Sequence, residues 1–276
     1  MKVKAFGIET ERGSFLVTGP SGSGKTKFLR TLYATYGLLT NSPLAHAAIS
    51  IFNDEIKKRV VEKPCKKEEC VECEFEISVE ALKDALESTL KVIMKALRLE
   101  SIEAEVDGEP LKFDVAELCK NETIKTGERS YVKFECDGRV LKGSWRWCPE
   151  DEIPYPYDRL ASKLFAKEEG LAIYLPPGRG YLGTKEECKE ILEMLVCKGL
   201  KGSELEVERN LLEWALSEGT YVFIEGIYTD EEYLSMLKEV LGKKRAKLVM
   251  IESREEGVAK ELGLEVIRIG KGGEEG

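Results

Sequence analysis

The stretch GPSGSGKT at residues 19–26 decides how the rest of this 276-residue chain is read. It fits G-x-x-x-x-G-K-[ST] at every specified position, and each of those residues has a physical task. Gly19, Gly22 and Gly24 allow backbone conformations that a side chain forbids, so successive N–H groups can converge on phosphate oxygens. Lys25 supplies a mobile point charge to the β- and γ-phosphates, and Thr26 supplies a hydroxyl ligand for magnesium. Gly19, Pro20, Ser21, Gly22, Ser23, Gly24, Lys25 and Thr26 are therefore the candidate nucleotide-binding residues, with ATP and Mg²⁺ as the expected ligands.

Upstream, MKVKAFGI at 1–8 reads as a strand, ERG as a turn and SFLVT at 14–18 as a second strand, so an antiparallel hairpin is expected to lead into the loop. Downstream, Phe28, Leu29, Leu32 and Tyr33 share one face of a helix over 25–36. A loop that opens a helix adds the helix dipole to anion binding. From residue 171 the chain alternates short apolar strands with helices. LAIYL is followed by helices at 184–198 and 203–218, then YVFI, a helix at 230–241, KLVMI, a helix at 254–262 and LEVIRI. That alternation predicts an α/β fold with a mostly parallel sheet covered by helices on both faces. Residues 46–160 are less regular and read as an inserted α+β subdomain, with a helix over 79–98 and a hairpin turning at Asp137-Gly138. The expected core is thus 1–45 with 161–270, and the KGGEEG tail at 271–276 reads as a disordered end.

The order of these elements resembles the P-loop NTPase fold, and within it the ATPase heads of the ABC class, especially RecF-like and SMC-like proteins. The hairpin before GPSGSGKT, IYLPPGRG at 173–180, LKGSE at 200–204 and YVFIEG at 221–226 carry the resemblance. It implies an arginine turn at Arg179, a signature-like helix start at Ser203 and a Walker B strand ending at Glu225. It also implies an ATP-dependent dimer in which Gly202 and Ser203 meet the γ-phosphate held by a partner subunit. The sequence departs from the pattern at several points. Glu225 stands in the place of the family's aspartate, Gly226 in the place of its catalytic glutamate, and Ile251, Glu252 and Ser253 near the place of its switch histidine. No glutamine is present for a Q-loop. The catalytic candidates are Lys25, Glu225 and Glu252, with Thr26 and Glu225 on the magnesium and Glu252 positioning water; Asp230 and Glu231 are further carboxylates close by. For Ser203 the plain alternative is an S-x-x-E capping box with Glu206, and for Arg179 a structural salt bridge.

Composition bounds the rest. The net charge of −9 and the pI near 5.1 argue against a chain that coats nucleic acid. No apolar run approaches the ~18 residues of a membrane span, and the first residues lack the apolar stretch of a signal peptide, so no membrane insertion and a cytoplasmic location are expected. Charged residues form 34% of the chain and amides are scarce, a balance that suits a hyperthermophile. Cys65, Cys70 and Cys73, spaced C-x₄-C-x₂-C, resemble half of a structural zinc site to which Cys119, Cys136 or Cys148 would add the fourth ligand. Disulfides or free thiols are the alternative, because no second C-x₂-C appears and intracellular hyperthermophile proteins carry disulfides. Cys188 and Cys197, on one expected helix, are too far apart to pair with each other.

Three functions compete. The first is an ATP-binding, slowly hydrolysing switch that closes a dimer or docks a protein or nucleic-acid partner. The second is a nucleotide or small-molecule kinase using the same loop, and the third a non-hydrolysing ATP-binding scaffold.

Overall fold

The computed structural model describes residues 1–176 and 204–270. The chain opens with β1 (Val3–Ala5), β2 (Ile8–Thr10), β3 (Gly13–Thr18) and helix α1 (Lys25–Leu39), then α2 (Pro43–Lys57). Strands β4 (Val61–Glu62), β5 (Lys66–Lys67) and β6 (Val71–Ser78) lead to α3 (Val79–Ala96). Next come β7 (Glu105–Val106), β8 (Glu109–Pro110), β9 (Glu122–Lys125), β10 (Tyr131–Cys136), β11 (Val140–Trp147) and α4 (Pro156–Ala161). The last part holds β12 (Leu171–Leu175), α5 (Glu204–Ala215), β13 (Thr220–Ile224), α6 (Glu231–Gly242), β14 (Leu248–Glu252), α7 (Gly257–Leu262) and β15 (Glu265–Arg268). Arg179, Gly202, Ser203, Cys188, Cys197, the helix expected over 184–198 and the tail at 271–276 lie outside the described residues.

Two compact units divide the chain: 1–43 with 95–111 and 168–276, and 44–94 with 112–167. The span 46–160, read from sequence as one insertion, is thus interrupted, because 95–111 belongs to the first unit. The reason is strand pairing: β7 lies antiparallel to β1, with Val106 opposite Val3.

The first unit is α/β, built on a five-stranded parallel sheet in the order β12-β13-β14-β3-β15 and flanked by helices. Every residue of β13 is buried, as a strand covered on both faces requires. Side chains alternate along it. Val222 and Ile224 join Leu211, Leu212, Leu234, Leu237, Val258 and Leu262 in one core under α5, α6 and α7. Tyr221 and Phe223 point the other way, where their rings meet Tyr36 and Tyr33 of α1 at centroid distances of 4.5–6.0 Å. Helix α1 is buried almost all round because a second, antiparallel sheet, β2-β1-β7-β8, covers its far side. Phe6 packs edge-on to Phe28 at 5.8 Å, and the Tyr36 hydroxyl donates to the Thr10 carbonyl at 3.0 Å.

That second sheet corrects the expected hairpin. Residues 1–8 are not one strand facing 14–18. The chain reverses already at Phe6-Gly7, both at positive φ, so β1 pairs with β2, while β3 joins β14 and β15 in the parallel sheet. Period-2 alternation gave no sign that the reversal comes so early, since Val3, Ala5 and Ile8 are all apolar.

The second unit is a six-stranded antiparallel sheet around β6, β11 and β10, with Phe75, Phe134, Ile77, Val132 and Leu141 in its core. Gly143 sits opposite Phe75, where any side chain would collide with the Phe75 ring. The zinc expectation for Cys65, Cys70 and Cys73 is overturned here. These cysteines form disulfides, Cys65–Cys73 and Cys70–Cys148, beside a third, Cys119–Cys136. Among the described residues no group of three or more His, Cys, Asp or Glu is arranged to hold a metal ion. The partners that zinc would have needed are consumed in pairs, with Cα separations of 4.3–5.0 Å. Among the described residues no helix is long and apolar enough to cross a membrane.

Peptide mapping under non-reducing conditions is expected to recover these three cross-linked pairs. Opening the widest loop with Cys70→Ala and Cys148→Ala together, across 78 residues of sequence separation, is expected to cost roughly 3–4 kcal/mol in chemical denaturation.

Candidate functional site

The carboxyl ends of β3, β13 and β14 meet at one edge of the parallel sheet, the edge at which ligands of open α/β sheets gather. Thr18 ends β3 and the chain turns through 19–24 into α1. Gly22 and Gly24 have φ of 77° and 93°, a region that costs other residues strain. Gly19 has a second reason to lack a side chain: a Cβ would strike the carbonyl oxygen of Ile269, just beyond β15, whose N–H donates to Thr18. The N-terminus of α1 is open. Gly24 caps it without a side chain, and no acidic residue occupies the first turn. Its leading N–H groups therefore carry the partial positive charge of the helix with no anion supplied by the cap.

Lys25 is 6% exposed, and its ammonium donates to the carbonyls of Gly19 and Pro20 at 2.8 and 2.9 Å. This lysine closes the loop on itself with two of its three donors. Ser23 Oγ is buried and has no hydrogen-bond partner among the described residues. A ligand rich in acceptor oxygens fits this set: an open helix terminus, an ammonium with a donor to spare and an orphaned hydroxyl.

Thr26 and Arg30 lie one turn apart on α1, hence on one face, and each meets a carboxylate from the sheet edge. The Thr26 hydroxyl donates to both oxygens of Glu252, at 2.9 and 3.1 Å. The Arg30 guanidinium grips Glu225 with Nη2 at 2.8 and 3.1 Å and Nε at 3.2 Å, while Nε also reaches the Tyr174 hydroxyl at 3.1 Å and Nη1 the Leu97 carbonyl at 3.4 Å. Both members of that pair are four-fifths buried or more. Sequence reasoning set Glu225 beside Thr26, but the carboxylate that meets the Thr26 hydroxyl is Glu252. Strand order explains the difference, because β14 lies directly against β3 and β13 is one strand further away. Arg30 went unnoticed in the sequence, although a cation in the middle of an otherwise buried helix was its signal. Asp230 is accounted for as the cap of α6, accepting from the Tyr233 N–H at 2.9 Å, and Glu231 is exposed in that helix's first turn.

Burial, helped by the charge of nearby Glu225, holds the Glu252 carboxyl above its ordinary range, against the Thr26 hydrogen bond and the cations Lys25 and Arg30. An open cleft of about 370 Å³ runs past these groups, lined by Thr26, Glu225, Thr229, Glu252, Arg254 and Glu255 among others. A second cleft of about 280 Å³ shares Thr26 and is bordered by Lys27, Arg30, Arg98 and Glu100. No protein-family model, curated protein or solved structure matches this chain, so the site is read from its own geometry.

Replacing Arg30 by Ala is expected to lower stability by roughly 1–3 kcal/mol in chemical denaturation, because Glu225 loses a bidentate cation away from bulk water. Arg30→Lys should recover only part of this, since an ammonium cannot bind both oxygens in the same fork. Glu252 gives a pH signature of opposite sign to a salt-bridged acid. Its folded-state pKa is raised, so the ionised group costs the native state stability above that pKa, and the cost disappears below the unfolded value. Glu252→Gln is therefore expected to raise the melting temperature at neutral pH, and the gain should fade as pH falls below about 4.

Proposed function

We propose that this chain is a P-loop NTPase that binds ATP with magnesium on residues 19–26 and hydrolyses it slowly, in the manner of the ABC-class heads its sequence resembles. The observation that carries the proposal is an open helix N-terminus at which Lys25 folds over the loop and Thr26 meets Glu252, a carboxylate delivered from the adjacent parallel strand. Phosphoryl transfer to water asks little covalent work of a protein. It asks for phosphates held in place, charge neutralised and a water oriented.

Each task has a candidate among the residues of this edge. The loop amides and Lys25 hold the β- and γ-phosphates. Thr26 and Glu252 would hold the magnesium, directly or through water, and the ion would offset phosphate charge. Glu225 then becomes the carboxylate available to orient water, which exchanges the roles expected from the sequence. Its grip by Arg30 fixes its position at the cleft. The resemblance further implies that ATP draws two copies into a head-to-tail dimer. A cytosolic setting supplies the ATP, and a hyperthermophile is the kind of organism in which disulfides persist there.

Titration with a fluorescent ATP analogue and Mg²⁺ tests the central claim. Lys25→Ala is expected to weaken binding by about 1.5–3 kcal/mol, roughly 10- to 150-fold, and Thr26→Ala to remove the dependence on magnesium. A wild-type chain that binds no nucleotide at millimolar concentration would sink the proposal. Phosphate release at elevated temperature should fall in both Glu225→Ala and Glu252→Ala. Light scattering with and without Mg-ATP reads the dimer, and a chain that stays monomeric in every nucleotide state rules it out.

A further inference from the structure

Arg254 lies two residues beyond Glu252 and lines the same cleft as Thr26, Glu225 and Glu252. Among the described residues it is the only cation lining that cleft. Two other cations of the site have protein partners: Lys25 donates to the carbonyls of Gly19 and Pro20 and keeps one donor, and Arg30 is paired with Glu225. Arg254, by contrast, is exposed and forms no ion pair among the described residues, even with Glu255 next to it in the chain.

Its backbone is nonetheless fixed from both sides. The Ser253 N–H donates to the Val17 carbonyl at 3.1 Å, extending the β14 to β3 ladder one residue past Glu252. The buried Ser253 hydroxyl then accepts from the Glu255 N–H at 3.1 Å, which holds the turn in which Arg254 sits. An arginine whose root is pinned and whose head is uncommitted keeps its planar fork for a ligand that enters the cleft.

The charge balance says what that ligand needs. Glu225, Glu252 and Glu255 bring three carboxylates to the cleft, and among the described residues only Glu225 has a direct ion pair. A terminal phosphate entering beside Thr26 would add to the remaining negative charge, so a cation besides the metal and Lys25 would favour its binding. Arg254 is in position to supply that charge, and a guanidinium pairs with two oxygens of one phosphoryl group.

We propose that Arg254 reads the terminal phosphate, pairing with γ-phosphate oxygens so that the site separates nucleoside triphosphate from diphosphate. This inference rests on the ATP reading of residues 19–26 and adds the source of its selectivity.

Calorimetric titration of the full chain with Mg-ATP and with Mg-ADP, on the wild type, Arg254→Ala, Arg254→Lys and Lys25→Ala, tests it. Arg254→Ala is expected to weaken Mg-ATP roughly 10- to 100-fold while moving Mg-ADP less than about 2-fold, with Arg254→Lys between. Lys25→Ala should weaken both nucleotides. The exposed position of Arg254 predicts an unchanged melting temperature for its variants, which separates lost binding from lost fold. A ratio of ATP to ADP affinity that is the same in the wild type and Arg254→Ala overturns this inference and leaves the ATP site standing. A wild type that binds neither nucleotide overturns both.

Discussion

Two hydrogen-bonded pairs tie helix α1 to the carboxyl edge of the parallel sheet: Thr26 with Glu252 and Arg30 with Glu225. They are polar groups in a region that is otherwise apolar, since α1 is covered by Tyr174, Tyr221 and Phe223 on one side and by the small antiparallel sheet on the other. In such surroundings each carboxylate needs its donor, because an unmatched buried charge costs far more than the pair contributes. The register of α1 along the sheet is therefore specified twice. Apolar packing sets the face of the helix that turns inward, and the two acid partners set its position along its own axis. A loop held between β3 and a helix fixed in this way has little freedom.

The two carboxylates differ in environment in a way that separates their chemistry. Glu225 faces a guanidinium that grips both of its oxygens. Glu252 faces a hydroxyl, is penalised by burial and feels the charge of its neighbour, so its proton affinity is raised. The loop amides, Lys25 and Arg254 complete the polar and charged groups of this edge.

The second unit solves its stability by different means. Its sheet is antiparallel, its core is carried by a few aromatic residues such as Phe75 and Phe134, and three disulfides link its strands and loops. Loops closed in this way lose less conformational entropy on folding, which compensates for a small apolar core. Trp147 and Tyr157 serve this framework too, the first donating to the Asp151 carbonyl and the second to Glu62.

Local patterns in the sequence determined a good deal. The apolar runs at LAIYL, YVFI, KLVMI and LEVIRI became β12, β13, β14 and β15, and the glycine-rich loop lies between strand and helix as its composition required. Such features follow from backbone preferences and side-chain periodicity within a few residues. Strand order is not written in any one segment, and it decided what periodicity could not. Setting β14 rather than β13 beside β3 brought Glu252 to Thr26 and left Glu225 to Arg30. Cysteine spacing likewise carried no information about pairing, because Cys70 meets Cys148 only after β6 and β11 lie side by side. Contacts between distant segments are chosen by the free energy of the whole packed fold, so a sequence that names its loop can still leave the loop's partners to the tertiary structure.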